Sequence, residues 1–403
     1  MVATGTRVIL FTGKGGVGKT TLAAATAARV SAAGGKTLVL STDPAHSLAD
    51  AFECSAGGEP EEIASGLYLG HVDTQRRLQE SWREIQQYLT AALGSAGIDR
   101  LRAEELAVLP GAEEVLALVE VSEHVRSGRW DAVIVDCAPT AETLRLLALP
   151  ELLDWYVSKA MPADRRVVRA LRPLLGPAVG LPAPGTEVWD AAERLQEQLM
   201  QVQEVLKSPG TTVRLVLTPE AVVVAEARRA RTQLALYGYP VDAVIANRVF
   251  EAGDDPWRQQ WVVAQDTQLG EVSASFDPLP VFIANYQAEE PTGAAQLSQL
   301  GAAVYGEHDP LVSAESRDLM RVRDEGDFFV MELLLPLVDK DSLDLARVGD
   351  DLVVTVSGRR RVLALPGGLK RCRVRRAHVD NGQLDIEFVP DPEQFPDKKA
   401  AHP

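Results

Sequence analysis

The sequence predicts an α/β chain: a doubly wound, mostly parallel sheet with helical insertions, followed by a separate all-β sandwich. Three observations carry that prediction. Short Val/Ile/Leu-rich runs alternate with longer helix-like segments from Arg7 to about Gly306, the pattern of parallel strands buried on both faces. The first of these runs enters a glycine-rich loop, Gly13 to Gly18, and leaves it as an alanine-rich helix. Past Asp309 the pattern changes to short alternating segments divided by Gly, Pro and Asn-Gly turns, which reads as antiparallel β-structure.

Taken in order, residues 8–12 form the first strand and Lys19 opens the first helix. Strands follow at 37–41 and 67–72, then a Leu-, Ala- and Glu-rich helical insertion at about 74–129, then a strand at 132–136. A second insertion, about 151–207, is broken by Pro162, Pro173, Pro177, Pro182 and Pro184. Its apolar residues, Trp155, Leu171 and Leu175 among them, suit a groove, and a core-facing helix stripe has the same spacing. Strands at 213–218, 243–247 and 279–283 complete the first domain, residues 1–310. A charged linker, 311–327, leads to a β-domain at 328–390 and a Pro-, Asp- and Lys-rich tail at 391–403, expected to be disordered.

Composition excludes several classes. The chain has 403 residues, 46% hydrophobic and 24% charged, as in an ordinary globular protein. A net charge of -16 opposes the counterion release that general nucleic-acid binding requires, and it disfavours anionic lipid surfaces. No nucleic-acid partner is expected, and membrane contact only through a client or receptor. Cys54, Cys137 and Cys372 are scattered and form no C-x-x-C pair, so neither a sequence-local zinc site nor a disulfide framework is expected. No apolar run reaches the roughly 20 residues of a membrane span. The chain enters its first strand at Val8, so no leader is expected. Together these point to the cytoplasm.

The chemistry starts at the loop. Gly13, Gly18, Lys19 and Thr20 hold the fixed positions of G-x-x-x-x-G-K-T, in which backbone N–H groups cradle phosphate oxygens at a helix N-terminus. Gly13, Lys14, Gly15, Gly16, Val17, Gly18, Lys19, Thr20 and Thr21 are therefore the expected nucleotide contacts, and ATP or ADP with Mg2+ the expected cofactors. Lys19 reaches the β- and γ-phosphates, and the Thr20 hydroxyl ligates the metal. Asp43 follows the second strand, where a carboxylate can orient or deprotonate water and join the metal shell; a capping Asp-Pro turn has the same wording. Asp136 ends an apolar strand, the position from which a carboxylate holds Mg2+ through water.

The two lysines of GKGGVGKTT resemble the deviant Walker A loop of SIMIBI ATPases, the group containing MinD, ParA, nitrogenase iron protein, ArsA and Get3. The resemblance implies that Lys14 reaches the nucleotide of a partner subunit, and hence a homodimer active when closed. STDPAHSLADAF is close to switch I of ArsA and Get3, which makes Asp43 the water-orienting residue and places it with Lys14 and Lys19 as catalytic. The segment after Asp136 is similar to the family's D-T-A-P-T-G-x-T and L-R-L-L, with Cys137 for threonine and Ala141 for glycine. Asn247 matches the family's adenine-binding Asn, although a turn-forming Asn reads the same. GGLKRCRVRRAHVDNGQLDIEF resembles the α-crystallin-like (Hsp20-like) domain fused to some Get3 homologues, the Get3d type.

What the resemblance implies is an ATPase whose dimer opens and closes around a hydrophobic client, a tail-anchored or other membrane protein. Arsenite pumping is disfavoured by the single loop and the scattered cysteines, and no zinc is expected without a C-x-x-C pair. Two alternatives stay open: a general holdase with the β-domain as client site, and a MinD- or ParA-like positioning ATPase, which calls for a basic face or basic amphipathic helix.

Overall fold

A computed structural model of the chain describes residues 5–42, 47–55, 57–71, 90, 112–137, 186–312 and 319–392. Eight strands form the main sheet: β1 (Arg7–Thr12), β2 (Thr37–Ser41), β3 (Glu61–Ala64), β4 (Leu67–His71), β5 (Ala132–Asp136), β6 (Thr211–Leu217), β7 (Val241–Val249) and β8 (Val281–Asn285). Their order is β3-β4-β2-β5-β1-β6-β7-β8. Every neighbouring pair is parallel except β3 with β4. The described helices of this part are α1 (Lys19–Ala32), α2 (Ser47–Ala51), α3 (Ala112–Arg126), α4 (Thr186–Leu206), α5 (Ala221–Tyr237), α6 (Pro256–Phe276) and α7 (Gly293–Tyr305).

The strands take this arrangement because they have no polar face to show. Every residue of β2, β5 and β6 is buried, as continuous apolar runs between two helix layers require. Small residues let α1 lie close to the sheet and to α7; Ala23, Ala24, Ala27 and Ala28 are all buried there. Register then sets the geometry that matters. β5 lies between β2 and β1, and Asp136 pairs with Ser41 on one side and Phe11 on the other. Three strand ends therefore meet at one level, on the carboxyl edge where doubly wound sheets bind ligands.

The opposite edge is closed by a buried ion cluster. Arg214 Nη2 and Arg7 Nη2 each lie 2.8 Å from Asp242 Oδ2. Arg214 also donates to Tyr305 Oη at 3.1 Å, and that hydroxyl meets Thr26 Oγ1 at 2.7 Å. Burial works against charge on Arg214, and Tyr305 and Asp242 outweigh it. β1, β6, β7, α1 and α7 are thus tied together beneath the sheet.

Seven further strands build a sandwich: β9 (Met320–Asp324), β10 (Phe329–Leu334), β11 (Leu343–Val348), β12 (Asp351–Val356), β13 (Arg359–Ala364), β14 (Cys372–Asp380) and β15 (Gln383–Pro390). They form two antiparallel sheets, β14-β15-β10-β9 and β11-β12-β13. Met331, Leu333, Leu352, Val354, Ile386 and Phe388 fill the space between. Leu236 of α5 belongs to the same core, so the helix docks the sandwich. Thr232 Oγ1 donates to Pro336 O at 2.6 Å, and Arg361 of β13 donates to Leu236 O.

Several elements differ from expectation. β9 lies in the stretch read as linker: all five of its residues are exposed, and it is held by backbone pairing with β10 and by Arg321 and Arg323 on Glu332, not by apolar burial. β3 is an additional antiparallel edge strand, polar for the same reason. Pro366-Gly367-Gly368, one of the Gly- and Pro-containing turns expected past Asp309, continues as a short helix, α8 (Gly367–Lys370). β8 begins after Pro280, which has no N–H to pair, and runs two residues past the expected end. The apolar groove candidates of the second insertion, with Trp155, Leu171 and Leu175, lie outside the described residues, as does most of the tail.

Candidate active site

Two glycines set the loop. A Cβ on Gly13 would stand 2.1 Å from the Val216 carbonyl oxygen, so only glycine lets the chain cross β6 at that height. Gly18 caps α1 at φ 90°, and a Cβ there would meet Asn247 Nδ2 at 2.3 Å. That amide donates to Val17 O at 2.8 Å, while its Oδ1 accepts from Arg248 N at 2.9 Å. Asn247 therefore braces the loop from β7. Gly18 offers no side-chain cap to α1, which leaves the first-turn N–H groups and the positive helix end turned to the loop.

Both lysines are poised there. Lys19 is 8% exposed and its ammonium donates to Lys14 O at 3.3 Å, so it folds back over the loop. The Lys14 side chain is half-buried and makes no ion pair among the described residues. A backbone cradle, an uncapped helix end and two ammonium groups together suit a polyphosphate.

The carboxylate is brought in across the sheet. Asp136 is fully buried, and its Oδ2 accepts from Thr20 Oγ1 at 2.8 Å with Ser41 Oγ at 3.5 Å. A hydroxyl and a carboxylate side by side form the all-oxygen donor set that Mg2+ prefers; Thr20 and Asp136 fit that ion. Cys137 follows, buried, with its N–H on Phe11 O at 3.0 Å. Burial and the neighbouring Asp136 push its thiol up, which disfavours the thiolate. Thr42 N donates to Asp136 O at 2.9 Å, so the chain leaves β2 beside this carboxylate. Asp43 itself, and the segment from 138 onward with Ala141, lie outside the described residues.

An aromatic cluster beside Asn247 was missed by sequence reasoning. Phe250 stacks on Tyr286 with ring centroids 5.1 Å apart and an interplanar angle of 6°. Trp257 and Trp261, one turn apart at the start of α6, close round Phe250 at 5.6 and 6.1 Å. Trp257 is 57% and Tyr286 56% exposed, far more than packing alone explains. Only the W-x-x-x-W spacing hints at it in sequence.

Comparison with known proteins places this geometry. The family described as anion-transporting ATPase matches residues 6–306, and the HSP20-like domain found in ArsA matches residues 326–388. The chain belongs to the ArsA/Get3 family. A protein of Aquifex aeolicus provisionally named arsenical pump-driving ATPase 1 is 33% identical over 392 residues, covering 94% of this chain and 99% of its own. One of Chlorobaculum tepidum with the same kind of name is 34% identical, covering 95% and 96%. An ATPase named GET3 from Rhodotorula glutinis is 28% identical over 250 residues, 61% of this chain and 71% of its own. As a member of the ArsA/Get3 family the chain is an ATPase with an HSP20-like domain appended. Among the described residues no helix is long and apolar enough to cross a membrane.

Proposed function

We propose that the chain is an ATP-hydrolysing homodimer of the Get3 type, which opens and closes a hydrophobic groove around client proteins, tail-anchored or other membrane proteins among them. In this reading the loop and Lys19 bind the β- and γ-phosphates. Thr20, Asp43 and Asp136 would hold Mg2+, and the ion would supply neutralisation of phosphate charge. Asp43 orients the attacking water. Lys14, which makes no ion pair among the described residues, reaches the partner subunit's nucleotide. Asn247, which holds the loop through Val17 O, and the exposed Phe250–Tyr286 stack are assigned to the base end of the nucleotide.

The names of the fuller relatives favour a second reading, an ATPase driving an arsenical pump. The cysteines weigh against it. Arsenite is captured by clustered thiolates, whereas Cys137 and Cys372 are buried, apart, and bonded to backbone carbonyls at 3.8 and 3.4 Å. Cys54 is pushed up by burial and by Glu61. These cysteines carry the choice of a protein client over a metalloid. Phosphate release from Mg-ATP, measured with and without arsenite, tests it: the rate is expected to be unchanged, and a severalfold rise would return the protein to pump driving.

A further inference from the structure

Where the sandwich meets α5, the seam forms a pocket of about 350 Å3, open to solvent on one side, within the range of small-molecule sites. α5 supplies Arg228, Arg229 and Gln233 to its wall, the segment after β10 supplies Leu337 and Val338, and the turn between β12 and β13 supplies Ser357. It is remote in sequence from the nucleotide loop and is used by no step proposed above.

Two of its wall residues are held in a backbone conformation that side chains resist. Leu337 sits at φ 62° and Ser357 at φ 49°; strain of this kind collects at ligand clamps. Ser357-Gly358 and Asn381-Gly382 both turn their hairpins with two residues at positive φ. Asn-Gly is the favoured pair for such turns, and the chain uses it at 381. At 357 it places a serine instead, a residue of the pocket wall. Leu337 is held from behind: Leu335 N donates to Gly382 O at 2.7 Å, and a Cβ on Gly382 would stand 3.2 Å from Pro336 Cα.

Some of the polar groups around the pocket are uncommitted among the described residues, in a chain that is otherwise strongly acidic. Arg228 has Glu271 at 3.9 Å as its ion-pair partner, with both side chains about half exposed. Among the described residues, the side chains of Arg229, Gln233 and Ser357 make no hydrogen bond or ion pair. Thr232 and Ser342, also on the wall, spend their hydroxyls on Pro336 O and Asp339 O. The acidic wall residue Asp339 accepts from Asp341 N at 3.1 Å.

We infer that this seam binds a small organic phosphate ester, its phosphate on Arg228 and Arg229 and its hydroxylated body between Gln233 and Ser357, against Leu337 and Val338. Two guanidinium groups on one pocket wall match a phosphate dianion in charge, and a ligand held by both domains fixes the sandwich to α5.

The test is calorimetric titration of the full chain with glycerol 3-phosphate after saturation with Mg-ADP, which keeps phosphate out of the nucleotide loop. Saturable binding at one site per chain is expected, at least tenfold weaker in the Arg228→Ala/Arg229→Ala variant, weaker for inorganic phosphate and lost for glycerol. Both arginines are exposed, so the variant should fold. In hydrogen exchange the ester should slow residues 337–342 and 355–358 and leave the nucleotide loop unchanged. No saturable binding at millimolar ester, binding unaffected by the double substitution, equal binding of inorganic phosphate, or protection confined to the nucleotide loop would each overturn the assignment.

Discussion

Thr20 and Asp136 stand 116 residues apart in sequence and 2.8 Å apart in space, and on that contact the proposed metal site rests. Asp136→Asn keeps the hydrogen bond and removes the charge, so phosphate release from Mg-ATP should fall by about a hundredfold or more. The expected companion result is a normal unfolding temperature. Gly18→Ala attacks the loop from the other side. It forces a Cβ into a left-handed position, at a cost of about 1–2 kcal/mol, and pushes Asn247 away from Val17. A thermal melt should show the destabilisation, and calorimetry a weaker affinity for ATP. The glycines and Lys19 are legible in sequence because G-x-x-x-x-G-K-T is local. The brace from Asn247 and the stack of Phe250 on Tyr286 are not, since each joins segments that only the sheet brings together.

At the scale of elements, β1, β2, β5 and β6 are plain in the sequence because burial on both faces leaves continuous apolar runs. Edge strands β3 and β9 escape because exposed pairing needs no apolar pattern. β9 depends on a charge ladder instead, with Glu332 between Arg321 and Arg323. Those arginines hold the Glu332 carboxyl below its ordinary value, against the opposing pull of burial. A lowered folded value gives stability above the unfolded value that is lost as pH falls through the folded one. Glu332→Gln should therefore cost about 1 kcal/mol at neutral pH, modest because both arginines are half exposed. The gap between variant and parent in denaturant titrations should close below about pH 4. At the other end, Asp242→Asn strands Arg214 in the core, and a loss of about 3–5 kcal/mol is expected in the same measurement.

For the whole molecule, the sandwich and the sheet share α5. Leu236 lies in the core of the β-domain although its helix belongs to the main sheet's layer. Removing residues 319–403 exposes that leucine and frees Thr232 and the Leu236 carbonyl. The truncated protein should melt lower than the full chain and bind a hydrophobic dye. Its suppression of aggregation of an unfolded protein separates the readings: unchanged suppression rules out the β-domain as the holdase site. The two-part architecture was readable from the change in pattern past Asp309, whereas the docking through α5 was not, because Leu236 reads as one more apolar residue of an amphipathic helix.

The most direct measurement is ATP-dependent capture of a client. An Asp43→Asn chain loaded with Mg-ATP is mixed with a peptide carrying one transmembrane segment and passed over a sizing column, beside the same chain with Mg-ADP. Co-elution of peptide with a dimer in ATP, reduced in ADP, is the predicted result. Elution of peptide and protein apart in both nucleotides, with parent phosphate release stimulated by arsenite, would contradict the client-binding function.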